Sequence, residues 1–153
     1  MRDAMDVCQF CHGQKIIKGP NSNLYQRCPA CNGSGKDDSG GIPFTFVYEK
    51  LPLAANKASF QDTTQVQNGD FKLLFLVGLS DGIFTCQLSD AGRKQPFSDK
   101  EVHRDNLFGT AQNPMPVLAP YTFKKGGLIG VQISDLSGVA NNIRLGFTGV
   151  LFL

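Results

Sequence analysis

The sequence predicts an all-β chain in two parts, a small cysteine-bearing module followed by a β-sandwich or jelly-roll domain. Three observations predict it. Four of the five cysteines fall within residues 1–35, where apolar residues are few, whereas the rest of the chain is rich in Phe, Leu, Val and Ile. Seventeen Gly and eight Pro in 153 residues supply the many turns that short-stranded β proteins require. No window of useful length shows a capped 3.6-residue apolar period, and strands do not alternate with helices, which argues against a nucleotide-binding α/β fold.

Composition places the boundaries. Residues 1–36 form the module, residues 37–41 a linker and residues 42–153 the β domain. The stretch GSGKDDSGG (33–41) is polar and glycine-rich, as flexible linkers are. A chain of this size buries roughly 70% of its unfolded surface, so the larger part holds a core without staples.

The β domain reads strand by strand. FTFVY (44–48) opens it. FKLLFLVGL (71–79) is a long apolar run stopped by Ser80-Asp81-Gly82, and IFTCQLS (83–89) follows at hairpin distance. LIGVQIS (128–134) alternates apolar with other residues, and IRLGFTGVLFL (143–153) completes the set. Gly146 and Gly149 in that last run point to bulges or close backbone approach. Within SDKEVHRDNLF (98–108) there is room for one helical turn.

The cysteines have the spacing C-x2-C-x16-C-x2-C, formed by Cys8, Cys11, Cys28 and Cys31. Zinc takes four soft ligands at tetrahedral corners, and two residues between cysteines let one tight turn aim both sulfurs at a single point. Gly13 and Gly33 each follow the second cysteine of a pair by two, where backbone N–H groups can turn toward the thiolates. The spacing therefore predicts one structural zinc ion in a ribbon or knuckle module. Other chemistries share the pattern. Cys8-Gln9-Phe10-Cys11-His12 is also a c-type haem attachment pattern, which leaves Cys28 and Cys31 unused. Four cysteines also suit two redox disulfides or an iron–sulfur centre. His12 is expected to lie outside the ligand set.

CQFCHGQK and CPACNGSG resemble the C-x-x-C-x-G-x-G repeats of the zinc domain in DnaJ-type co-chaperones. The second repeat matches in full; the first has Lys15 in place of the last glycine. That family carries four repeats and two zincs. The two repeats here imply one zinc and a knuckle pair over about 30 residues. The His-Pro-Asp tripeptide of the J-domain is absent from the sequence, so the resemblance does not extend to chaperone activity.

Composition narrows the function. The net charge is +2 without a long basic run, where a dedicated nucleic-acid binder concentrates positive charge. Residues 1–40 hold five basic and four acidic side chains. Four thiolates and one Zn2+ would leave the metallated module slightly negative and poorly suited to phosphate. A nucleic-acid-binding or adaptor zinc ribbon, with Lys15, Lys18, Arg27 and Lys36 as contacts, is thus the weaker alternative. No stretch approaches the roughly 18 apolar residues of a membrane span. MRDAMDVCQF lacks the apolar segment of a secretory signal, so a reducing compartment is expected.

No acid–base constellation is visible, and an enzyme is not expected. Cys86, among apolar neighbours in IFTCQLS, reads as a core residue. His103-Arg104-Asp105 matches the kinase catalytic tripeptide but lacks its other motifs, and reads as a solvated turn. Lys124-Lys125 reads as a turn before the strand at 128.

The stretch from residue 106 to 153 resembles the end of small phage virion proteins. Their pattern is Pro-aromatic-x-Phe, a Gly/Ser turn, an alternating strand, a polar loop and a final strand with an internal glycine. Pro120, Tyr121, Phe123, Gly126, Gly127, Asn141, Asn142 and Gly149 occupy those places. The resemblance implies a non-enzymatic bacteriophage structural protein, foremost a capsid cement or decoration subunit with the zinc module as docking arm. Its implied partners are the major capsid protein or other virion proteins; a homo-oligomer is expected, a membrane is not, and nucleic acid stays the weaker alternative given by the charge. Its implied location is the virion, assembled in the host cytoplasm. A tail or host-recognition protein of the same fold is the alternative within that class.

Overall fold

The computed structural model describes residues 14, 16–18, 25–28 and 41–153. The chain is all-β, with antiparallel sheets and a single helical turn among the described residues. Strands β1 (Ile16–Lys18) and β2 (Tyr25–Arg27) pair antiparallel, with Ile16 opposite Arg27. The remaining elements are β3 (Ile42–Leu53), β4 (Phe60–Gln65), β5 (Asp70–Ser80), β6 (Phe84–Asp90), β7 (Gln95–Pro96), β8 (Val102–His103), α1 (Arg104–Leu107), β9 (Met115–Phe123), β10 (Leu128–Asp135) and β11 (Asn141–Phe152).

Two sheets are built from these strands. One has the order β3-β11-β5-β9; the other has the order β4-β10-β6-β7, with β8 also paired to β6. Successive long strands therefore alternate between the sheets. This corrects the hairpin expected at Ser80–Gly82. β5 pairs with β11 and β9, whereas β6 pairs with β10, β7 and β8. The turn carries the chain from one sheet to the other. The physical reason is that both runs have a strongly apolar face. Each can bury it only against a facing sheet, and Phe71, Leu73 and Leu76 from β5 meet Phe84, Cys86 and Leu88 from β6 in one core.

Period-two alternation fills that core. β6 buries Phe84, Cys86, Leu88 and Asp90, and β10 buries Ile129, Val131, Ile133 and Asp135, with half-buried polar residues between them. β11 supplies Ile143, Leu145, Phe147 and Leu151. The phenylalanines pack edge-on or tilted: Phe46 lies 4.9 Å from Phe71, and Tyr121 lies 4.9 Å from Phe123, as aromatic quadrupoles prefer. Cys86 is fully buried, and burial, helped by Glu101, pushes its thiol up to about 12. It is an inert core residue.

The expected strands fall inside β3, β5, β6, β10 and β11, and the expected helical turn is α1. Besides the two- and three-residue strands β1, β2, β7 and β8, two longer strands escape a local reading. β4 (FQDTTQ) has no apolar run. β9 (MPVLAPYTF) contains two prolines, tolerated because it is an edge strand. Opposite the single residue Leu74 of β5, β9 spends four residues, 117–120, and exposes Leu118 completely. Such an irregular, proline-bearing edge is poorly disposed to pair with another strand.

Polar contacts, led by the buried Asn141, tie the crossings and turns together. Asn141 accepts from the N–H of Gly82 at 2.9 Å, and Asn142 donates to Asp81 at 2.7 Å. Arg104 donates to the Ser80 hydroxyl and to the Gly82 carbonyl, so the His103-Arg104-Asp105 segment braces this crossing rather than simply facing solvent. Lys124 pairs with Asp70 at 2.7 Å, and the Lys125 N–H donates to the same carboxylate at 2.9 Å, which closes the turn before β10.

Asp135 organises the loop on either side of it. It accepts from Ser137 Oγ at 2.6 Å and from the N–H groups of Asn56 at 2.9 Å, Gly138 at 3.0 Å and Ser137 at 3.2 Å. Burial alone would raise its carboxyl. The Ser137 hydroxyl and the three backbone donors outweigh it and hold the group down to about 2. A depressed carboxyl contributes stability that is fully present above its unfolded value, near 4. That contribution is lost as pH falls toward the folded value. Asp135→Asn should therefore lower stability by ~2 kcal/mol at neutral pH. It should also flatten the stability loss of the parent protein between about pH 4 and pH 2. Urea melts followed by circular dichroism across that range check both, and an unchanged midpoint at pH 7 would contradict the assignment.

Candidate functional site

Of the four cysteines expected to hold a metal, Cys28 is described. It lies directly after β2 and is fully buried. Cys8, Cys11 and Cys31 lie outside the described residues, as do His12, Gly13, Lys15, Gly33, Lys36 and the linker up to residue 40. β1 begins and β2 ends at the same end of their hairpin, because Ile16 faces Arg27. From that end the chain leads back to Cys11 and forward to Cys28. Among the described residues, no three His, Cys, Asp or Glu side chains form a group able to hold a metal.

The outer faces of the two sheets differ in chemistry. On the first sheet, Val47 of β3 and Val77 of β5 flank Gly146 of β11 in one cross-strand row. Glu49, Arg144 and Leu79 form the next row, with Arg144 Nε 2.9 Å from Glu49 Oε1. Val47 is 61% exposed, Leu79 66% and Leu51 46%. Exposed aliphatic side chains on one sheet face are the kind of surface that associates with other proteins.

The second sheet carries polar rows instead. Gln61 of β4, Gln132 of β10 and Gln87 of β6 stand directly opposite one another. Thr63, Gly130 and Ser89 form the adjacent row. Glu101 accepts from Thr85 Oγ1 at 2.6 Å, Ser134 Oγ at 3.0 Å and Gln132 Nε2 at 3.0 Å. Gln61 Nε2 donates to Gln132 Oε1 at 2.8 Å, and Gln87 Nε2 donates to the Ser98 carbonyl at 2.6 Å. These rows, with Lys94 and Pro96 of the following turn, line a groove of about 620 Å3.

A local reading of the sequence does not find this groove. The available signal was the polar half of each alternating strand, Gln61/Thr63, Gln87/Ser89 and Gly130/Gln132, but only the register brings the three sets together. Among the described residues that line it, neither His103 nor Cys86 appears. Comparison of the chain with family models, with curated proteins and with solved structures returns no match.

Proposed function

We propose that this chain is a non-enzymatic structural subunit of a phage virion, foremost a capsid cement or decoration protein, with a jelly-roll β domain (42–153) and a zinc-stapled arm (1–36) joined by residues 37–41. The observation that carries the reading is the strand order. If the eight main strand positions are counted along the chain, with β7 as the fifth, the first, eighth, third and sixth share one sheet. The second, seventh, fourth and fifth share the other. This is the two-Greek-key arrangement of jelly rolls, an architecture used by viral capsid proteins.

Two further features support it. The residues that carry the resemblance to phage virion proteins hold this arrangement together: Asn141 and Asn142 brace the crossing at 80–82, and Tyr121 donates to the buried Asp90 at 2.8 Å. The exposed Val47, Leu51 and Leu79 offer an apolar face to a neighbouring subunit. The zinc arm, with Cys8, Cys11, Cys28 and Cys31 as ligands, adds a second contact on a short tether. Two weak contacts so linked act as one strong attachment.

Co-sedimentation with assembled capsids lacking this subunit tests the reading. The full chain should pellet in stoichiometric copies. Val47→Arg together with Leu79→Arg, both exposed in the isolated subunit, should stay folded and lose at least about tenfold in retention, the effect of some 1.4 kcal/mol. Absence of the full chain from the pellet would reject the structural-protein reading. Equal retention of the variant would remove the first sheet's outer face from the contact.

A further inference from the structure

We infer that the polar groove on the outer face of β4, β10 and β6 binds a neutral oligosaccharide. The groove stands on its own and is independent of the virion reading.

The starting point is a fixed direction of hydrogen bonding. Glu101 is a carboxylate and only accepts. Gln132 must therefore turn its amide nitrogen toward Glu101, as it does at 3.0 Å. Its oxygen then faces Gln61, which must answer with its own nitrogen, at 2.8 Å. The consequence is that Gln61 keeps its Oε1 for a ligand. Gln87 reaches the same state by another route, since its nitrogen is committed to the Ser98 carbonyl at 2.6 Å. Two amide oxygens on one face are thus preset as acceptors. The hydroxyls of Thr63 and Ser89, which both donate and accept, lie in the adjacent row.

The floor between them is Gly130. A Cβ there would collide with Ser89 Oγ and stand 3.1 Å from the Ala91 side chain, so the missing side chain lets Ser89 and Ala91 fold down over the strand and keeps the groove open above them. With a volume of about 620 Å3, the groove falls in the range of small-ligand sites.

This lining selects its ligand class. Preset acceptors require donors, which a sugar ring supplies from every hydroxyl. Each amide nitrogen keeps a second N–H, so a sugar hydroxyl, which both donates and accepts, answers the amide oxygen and nitrogen together, whereas phosphate, sulfate and uronate groups answer only the nitrogen. Of the charged side chains lining the groove, Lys94 is the one cation and Asp62 the one anion, so a polyanion finds no cluster of positive charge. Ala91 and Pro96 are the apolar side chains the lining offers, since Val131 is buried in the core; they are too few for a lipid chain but suited to the C–H face of a sugar.

The test is an NMR titration of the full-length protein with the neutral hexasaccharides of glucose, mannose, galactose and N-acetylglucosamine. An oligogalacturonate serves as the acidic arm and a Gly-Ser decapeptide as the peptide arm. At least one neutral hexasaccharide should shift the amide signals of Ser89, Gly130 and Gln132 at millimolar concentration or below. The acidic and peptide arms should leave them in place. Gln61→Ala together with Gln87→Ala, both on the sheet surface, should weaken that binding at least tenfold with an unchanged melting temperature. No shift by any neutral hexasaccharide, stronger binding by the acidic or peptide arm, or undiminished binding by the double variant would overturn the inference.

Discussion

Gly149→Ala should destabilise the β domain by more than about 3 kcal/mol, whereas Gly146→Ala, three residues away in the same strand, should cost nothing or add a few tenths. Both glycines lie in β11, the strand at the centre of its sheet between β3 and β5. At position 149 the register with β5 shifts: Thr148 faces Phe75, Gly149 faces Leu73, and Leu74 is left over as a bulge. The bulge brings the β5 backbone onto Gly149. A Cβ there would overlap the Lys72 carbonyl oxygen and stand 2.9 Å from its carbon and 3.1 Å from the Phe71 ring. Backbone cannot swing aside as a flexible side chain can, so two central strands must separate. At position 146 the nearest atoms would be Thr45 Cγ2 and Val77 Cβ, both at 3.6 Å, an ordinary contact. The methyl fits, and the unfolded chain loses freedom. Urea midpoints of the two variants measure the contrast. Equal effects would mean that the glycines serve conformational freedom and not close approach.

The second large effect concerns the proposed zinc arm. Stripping the metal with a strong chelator, or replacing Cys28 with Ser, should unfold residues 1–36 and leave residues 42–153 folded. Structural zinc contributes of the order of 10 kcal/mol to folding modules of this kind, more than so short a segment gains from its own core. The β domain draws its stability elsewhere, from the shared cluster of Phe71, Phe84, Phe123 and Phe147 between its two sheets. Metal analysis of the untreated protein should return about one zinc per chain, the capacity of four thiolates. Amide spectra after chelation should keep the dispersed signals of β5, β10 and β11. A single cooperative loss of all signals would reject the two-part organisation. Zero zinc or two zincs per chain would reject the ligand set.

Much of the β class was legible from local chemistry. Apolar side chains at every second position in 83–89 and 128–134 have one stable outcome, a strand with one face buried, and β6 and β10 have that form. Cys86 reads as core for the same reason. The metal reading of the cysteine spacing rests on the sequence alone, since three of the four thiols lie outside the described residues. Partnership between strands was not legible. Alternation repeats every two residues and says which face is apolar, but not which strand lies alongside. Ser80-Asp81-Gly82 therefore looks like a hairpin turn and is a crossing between sheets. β4 fails a local test because it has no apolar run, and β9 because its two prolines break the pattern of a paired strand, although Phe123, Tyr121, Val117 and Met115 pack on the core. The polar groove is the extreme case. Gln61, Gln87 and Gln132 are ordinary outward-facing residues until antiparallel register sets them opposite one another. Only then can the single acceptor Glu101 fix the direction of the amides. Side-chain alternation is a property of each segment, whereas register is settled by the burial of two whole sheets at once, and that is a decision only the tertiary structure makes.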